Sequence, residues 1–233
     1  ARFIFLDHQL PNALGGDHVQ VYALQARLAL TENLSIIATK DGFAVSQSPI
    51  LNDGFADVAA GLKYNIYKDA AAQQIVSVGA TYEIPIGSAQ TLQGNGDGEF
   101  NAFITGGTQM WQGSHWISAS GFRLPANRAQ ENQVFYWSNH WDQQLGQSGI
   151  YLFKEVNWFH YMSGANAFPL PIGGGDLFNL GSPVAGTNFV SGALGVKYKP
   201  QQNVEIGVAY EVPYSNRKDL MKDRINFNFI WRY

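Results

Sequence analysis

The chain has 233 residues, no cysteine, 45% hydrophobic residues, 14% aromatic residues and a formal net charge of −3. Charged residues make up 14% of it, well below the roughly 25% typical of soluble domains, while its aromatic content excludes a disordered chain. Without cysteine there is no disulfide framework, thiolate metal site or cysteine nucleophile. A near-neutral charge with no basic run argues against nucleic acid as a partner. No apolar run exceeds four residues, and a helix needs about 20 to cross a bilayer. No signal peptide is visible, so the sequence reads as cytosolic or as the mature chain of an exported protein.

Alternation with period two dominates from the N-terminus onward. Tyr22, Leu24, Ala26, Leu28 and Leu30 share one face, opposite Gln25 and Arg27. Val58, Ala60, Leu62, Tyr64 and Ile66 oppose Asp57, Gly61, Lys63 and Asn65, and Val78, Ala80, Tyr82 and Ile84 oppose Ser77, Gly79, Thr81 and Glu83. The chain closes on Ile225, Phe227, Phe229, Trp231 and Tyr233, alternating with Asn226, Asn228 and Arg232. Successive strand side chains point to opposite faces, so each segment is a strand with one apolar and one polar or small face. Nothing offers a comparable helical stripe, and the chain is all-β.

In chain order the pattern predicts strands near 2–7, 19–30, 34–42, 55–67, 74–86, 99–110, 115–125, 133–142, 148–162, 187–198, 203–213 and 223–233. The links between them alternate in length. The short class is 31–33, 68–73, 111–114, 143–147 and 199–202, and the long class is 9–18, 43–54, 87–98, 126–132, 163–186 and 214–222. A soluble sandwich has no reason to sort its loops this way. Short turns on one rim and long loops on the other are the pattern of a transmembrane barrel, which places apolar side chains toward lipid and polar ones toward the lumen. The expected architecture is therefore one domain over residues 1–233. It is a transmembrane antiparallel up-and-down β-barrel of about 12 strands with both termini periplasmic. Tyr64, Tyr67, Trp111, Trp116, Trp137, Trp141, Tyr198, Trp231 and Tyr233 lie near strand ends, where they would form interfacial girdles in contact with outer-membrane lipid and lipopolysaccharide.

The final strand, ending on an aromatic residue, resembles the C-terminal signal that barrel-assembly machinery reads. An internal echo adds to the barrel reading. Gly61-Leu62-Lys63-Tyr64, a turn, then Tyr82-Glu83-Ile84-Pro85 recurs as Gly195-Val196-Lys197-Tyr198, a turn, then Tyr210-Glu211-Val212-Pro213. This suggests duplication of a hairpin. In each copy the proline ends the ladder, since it cannot donate a sheet hydrogen bond.

Gly54-Phe55-Ala56-Asp57-Val58 running into Gly61-Leu62-Lys63-Tyr64, then Tyr82-Glu83-Ile84-Pro85-Ile86-Gly87, together with Glu155-Val156-Asn157 and the last strand, resemble the outer-membrane barrels assigned to the MetA pathway of phenol degradation. Trp158 departs from that family's usual continuation after Glu-Val-Asn. The resemblance implies a transporter-like channel in the bacterial outer membrane and, through the family's label, a hydrophobic or aromatic solute. It brings no functional residues with it.

The strand phase puts Arg27, Lys63, Arg123 and Lys197 in the lumen as cations and Asp57, Glu83, Glu155, Glu205 and Glu211 as anions. These charges could filter solutes at a constriction, or could pair into a network that stiffens or closes a narrow barrel. Lys197 and Glu205 flank one turn and are expected to pair. The near balance of signs predicts weak ion selectivity. One strand is inconsistent: inward Glu155 and Asn157 force Lys154 toward lipid, and a β-bulge in 151–162 would resolve the conflict. The link 163–186, with Phe168-Pro169-Leu170-Pro171 and Gly173-Gly174-Gly175, could fold inward as a constriction, contact a protein partner, or remain a mobile surface loop.

Catalysis is not indicated. His115, His140 and His160 have serine neighbours at Ser114 and Ser138, but adjacent strand residues point to opposite faces and cannot make the required hydrogen bond within one strand. No metal or cofactor motif occurs; Gly94–Gly98 reads as a turn. The favoured reading is a passive channel for small solutes, and the alternative is a structural barrel that anchors an envelope complex through its long loops.

Overall fold

The computed structural model describes residues 1–233 and contains no α-helix. Alternation with period two produces twelve antiparallel strands: β1 Arg2–Gln9, β2 His18–Ala29, β3 Leu34–Lys40 with an extension Phe43–Ser46, and β4 Val58–Asp69 preceded by Gly54–Phe55. There follow β5 Gln74–Ile84, β6 Glu99–Trp111, β7 Ser114–Pro125, β8 Val134–Gln144, β9 Ile150–Tyr161, β10 Asn188–Gln201, β11 Val204–Pro213 and β12 Asp223–Trp231. Every predicted strand is present. The largest difference is at β3, which runs past residue 42 to Ser46.

Each strand pairs with its sequence neighbours, and β1 also pairs with β12 from Arg2↔Ile230 to Gln9↔Asp223. The sheet is thus a closed barrel with no free edge, which removes the unpaired backbone groups an open sheet would expose. Both termini meet at the rim of the short turns, where the Ala1 amine donates to the Trp231 carbonyl at 2.8 Å.

The apolar face points outward. Leu24, Leu28, Leu62, Tyr64, Phe100, Ile104, Leu194, Val208, Tyr210, Phe227 and Phe229 are all exposed, the reverse of a soluble core. Along the long-loop half, exterior rings pack in tilted pairs, as in Tyr82–Phe100 at 4.7 Å and Phe122–Phe135 at 5.2 Å. The indole N–H groups of Trp116 and Trp137 cap the outward polar atoms Asn139 Oδ1, at 3.2 Å, and Ser118 Oγ, at 2.9 Å.

Bulges adjust the phase where the sequence alternation slips. In β4 the register shifts between Asn65 and Tyr67, so that Ile66 and Tyr67 are both outward, 55% and 48% exposed. In β6 a shift between Gln109 and Trp111 does the same for Met110 and Trp111, 50% and 52% exposed. At the β3 break Gly42 takes φ 128°, a conformation only glycine adopts cheaply. There the Asp41 Oδ1 accepts the Leu24 N–H at 2.9 Å in place of a ladder partner.

The expected bulge in 151–162 is absent. β9 keeps unbroken register with β8, from Tyr151↔Gln144 to Tyr161↔Val134, and with β10, from Ile150↔Tyr198 to His160↔Asn188. Lys154 does point outward, its ammonium 4.8 Å from the centre of the Trp141 ring. The ring face attracts the cation and the long stem lies along apolar surface, so the charge is accommodated without breaking the ladder.

Candidate functional site: the barrel interior

The polar faces of the strands converge on a central cavity of about 490 Å³. Arg123, Glu83, Glu155 and Glu211 line it. Asp57 stands above it, where its Oδ1 accepts the N–H groups of Gly87 at 2.8 Å and Gly94 at 2.9 Å and so folds the loop after β5 over the rim. Arg27 and Lys63 share strand faces with the cavity-lining Gln25 and Ala59, nearer the short-turn rim. Lys197 and Glu205 also lie toward that rim.

The interior charges are largely paired. Lys40 Nζ meets Glu83 Oε1 at 2.6 Å, and Arg123 Nε meets Glu99 Oε1 at 2.5 Å. Arg224 donates from Nη2 to Glu211 Oε2 at 2.7 Å and from Nη1 to Asp176 Oδ1 at 3.0 Å. Lys197 pairs with Asp142, whose Oδ1 also meets His115 Nδ1 at 2.7 Å, while His140 Nδ1 meets Glu155 Oε1 at 2.7 Å.

Lys197 and Glu205 do not pair, contrary to the expectation from their turn. The register sets Gly207 opposite Lys197 and slips at the bulge between Tyr198 and Gln201. Glu205 instead meets Arg232 at 3.2 Å and Lys199 at 3.8 Å. The pairing also depends on residues the sequence pattern did not single out: Lys40 beside the β3 break, Glu99 opening β6, and Asp142 and Arg224 on inward faces. Their inward phase was the available signal, and it was obscured where a bulge or a strand end interrupts the alternation.

The link 163–186 folds inward. Asp176, Leu177 and Phe178 line the cavity from above. Arg123 Nη1 donates to the Gly175 carbonyl at 3.0 Å, Asn179 Nδ2 donates to Glu99 Oε2 at 2.6 Å, and Gln93 Nε2 donates to the Leu177 carbonyl at 3.2 Å. Two apolar clusters pack it into the long-loop mouth. Phe178 and Leu180 bury against Leu10, Val19, Leu51 and Leu220, and Val184 buries with Tyr161, Phe189 and Met221. Toward the short turns the inward Arg27, Ile75 and Ile117 are exposed to solvent, while the inward Tyr151, Asp142 and Lys197 of that half are buried.

Two loop carboxyls are electrostatically perturbed. Burial, reinforced by the Glu99 charge, pushes Glu131 up to about 8 against the pull of Arg123. Glu131 is 4% exposed and its Oε2 has no hydrogen-bond partner. Burial opposes ionisation of Asp176 as well, but Arg224 outweighs it and holds the carboxyl below its usual range.

Aromatic rings form part of the interior wall. Tyr136, Phe153 and Phe159 line the cavity. The outer end of the Phe153 ring packs over Gly195 and that of Tyr136 over Gly121, each occupying the space a Cβ would need. The ring nitrogens of His115 and His140 face the carboxylates of Asp142 and Glu155. No group of acidic and histidine side chains has the arrangement of a metal site.

On the exterior, Tyr64, Tyr67, Trp111, Trp116, Tyr198, Trp231 and Tyr233 are exposed toward the short-turn rim. Trp141 is half-buried beneath Lys154. Trp137, paired with Trp158, lies in the long-loop half.

No protein-family model matches the chain, and no curated protein does. Its fold is similar to several solved structures. The NanC porin has a TM-score of 0.64 at 8% identity, covering 99% of this chain and 100% of the porin. The KdgM porin has a TM-score of 0.57 at 10% identity, covering 100% and 99%. An outer membrane channel from Pseudomonas putida F1 has a TM-score of 0.65 at 9% identity, covering 100% and 94%.

Proposed function

We propose that the chain is a Gram-negative outer-membrane channel that passes small solutes passively, with its short turns and both termini in the periplasm. The observation that carries this is the inverted polarity of a closed barrel: an apolar exterior with aromatic rims around a charged interior cavity of about 490 Å³. A barrel in water would expose that exterior at great hydrophobic cost, whereas in a bilayer lipid solvates it. The barrel likeness to two porins and an outer membrane channel supports the same reading. Tyr136, Phe153, Phe159 and Phe178 on the cavity wall suit a hydrophobic or aromatic solute, as does the resemblance noted in the sequence. The paired acids and bases then act as a size filter more than as a charge filter.

The packed long-loop mouth favours one other reading, a closed barrel that anchors an envelope partner through loop 163–186. Planar-bilayer recording on purified, heat-modifiable protein separates the two. Discrete conductance steps support the channel. A silent bilayer with verified insertion, for wild type and for a variant lacking 168–180, leaves the anchor. The terminal strand β12 is proposed as the segment read by the assembly machinery; removing Tyr233 should lower the folded yield in cells without affecting refolding in detergent.

A further inference from the structure

The cationic groups around the cavity are not equivalent. Lys40, Arg123 and Arg224 each have a carboxylate within 3.0 Å. Arg2 does not. Its Nε donates to the neutral Asn228 Oδ1 at 2.8 Å, and no acid lies within ion-pair distance of its guanidinium. Two acids of the surrounding wall have other partners: Glu155 meets His140 at 2.7 Å and Glu205 meets Arg232 at 3.2 Å. Arg27, on the neighbouring strand and toward the short-turn rim, has no acidic partner within ion-pair distance either. Of these two, Arg2 is the one on the cavity wall, and its guanidinium is neutralised by no acid.

Among the polar and charged groups of the wall, a set of apolar side chains lies on the elements around Arg2 and above it. Ile4 and Leu6, next inward on the strand that carries Arg2, face the cavity, with Phe153 and Phe159 across from them on β9 and Phe178 above. A guanidinium left with open donors binds a carboxylate through two parallel hydrogen bonds, and aromatic walls hold a planar ring in offset or edge contact. A volume of about 490 Å³ falls within the roughly 300–1,000 Å³ of small-molecule sites.

We infer that the cavity is a binding site for a small amphipathic anion, a carboxylate carried on an aromatic or similarly flat apolar group. The carboxylate sits at Arg2 and the ring lies between β1 and the Phe153–Phe159 wall, beneath Phe178. Arg27 and Lys63, inward and nearer the short-turn rim, extend the positive path along which the anion arrives. This inference rests on the channel reading for its biological use, but the site itself does not require conduction.

The test is equilibrium binding of benzoate, benzyl alcohol and acetate to the full chain in lipid nanodiscs, corrected with empty discs. Benzoate should bind at least tenfold more tightly than either of the others. Arg2→Gln should reduce benzoate to the level of benzyl alcohol while leaving benzyl alcohol unchanged, Arg2→Lys should fall between, and Phe153→Ala should weaken both ring compounds but not acetate. Heat-modifiable migration verifies that each variant is folded, and Arg2→Lys preserves the charge should Arg2→Gln fail to assemble. Equal binding of benzoate and benzyl alcohol by wild type, or benzoate binding indifferent to Arg2→Gln, overturns the inference. Binding as expected in a protein that never conducts removes the channel reading and leaves the site. Conductance without selective benzoate binding removes the site and leaves the channel.

Discussion

Arg224 on the last strand bonds two carboxylates at once: Glu211 on the adjacent strand, at 2.7 Å, and Asp176 in the long loop, at 3.0 Å. The first bond belongs to the barrel wall and the second to the loop that fills its mouth. One guanidinium thus links closure of the sheet to the packing of its mouth.

The two bonds should separate under mutation. Arg224→Ala leaves Glu211 buried without its cation, and breaking a buried pair on one side costs about 3–5 kcal/mol. Asp176→Asn keeps the Glu211 pair and loosens only the loop. The expected outcome is a large fall in the urea midpoint for Arg224→Ala and a small one for Asp176→Asn. Asp176→Asn should also increase single-channel conductance or the frequency of open events.

Glu131 should make loop stability pH-dependent. Its carboxyl titrates near 8 in the folded chain and near 4.5 ordinarily, so the folded state holds the proton more tightly. The stability this confers is complete below about pH 4.5 and is lost as pH rises through about 8. Glu131→Gln stays neutral throughout. Thermal midpoints measured from pH 5 to 9 should fall with pH for wild type and fall less for the variant; parallel curves would reject the assignment.

Phe153 rests on Gly195, and a methyl group there would overlap both the ring and the Val208 carbonyl oxygen on the adjacent strand. Gly195→Ala should force Phe153 off its rotamer into the cavity at a cost of about 1–3 kcal/mol. Urea unfolding in vesicles checks the stability. Weakened benzyl alcohol binding would show that the ring had moved.

Lys154 is a cation on the outward face of β9, held over Trp141 at 4.8 Å. A lysine on the lipid face costs up to about 2–4 kcal/mol, depending on depth. Lys154→Leu is expected to raise stability in vesicles. Trp141→Ala should lower it, and should do so less in the Lys154→Leu background, since the ring then has no ammonium to receive.

The sequence by itself determined the strand count, the loop sorting and which face of each strand is apolar. These depend on a local rule, since every second side chain points the same way whatever the strand packs against. The rule located Glu83, Glu155 and Glu211 inside and Leu62, Tyr64 and Trp231 outside. It failed where one extra residue resets the phase, as at the β3 break, and it offered a bulge around Lys154 where an indole serves instead. Tertiary structure alone decided the partners. Lys197 finds Asp142 on β8, although Glu205 is nearer along the chain, because register and bulge, set over the whole hairpin, fix which inward groups face each other. It also decided that loop 163–186 enters the mouth, since Phe178 and Leu180 need apolar walls assembled from Leu10, Val19, Leu51 and Leu220. Those residues come from segments far apart in sequence, and only closure of the barrel brings them together.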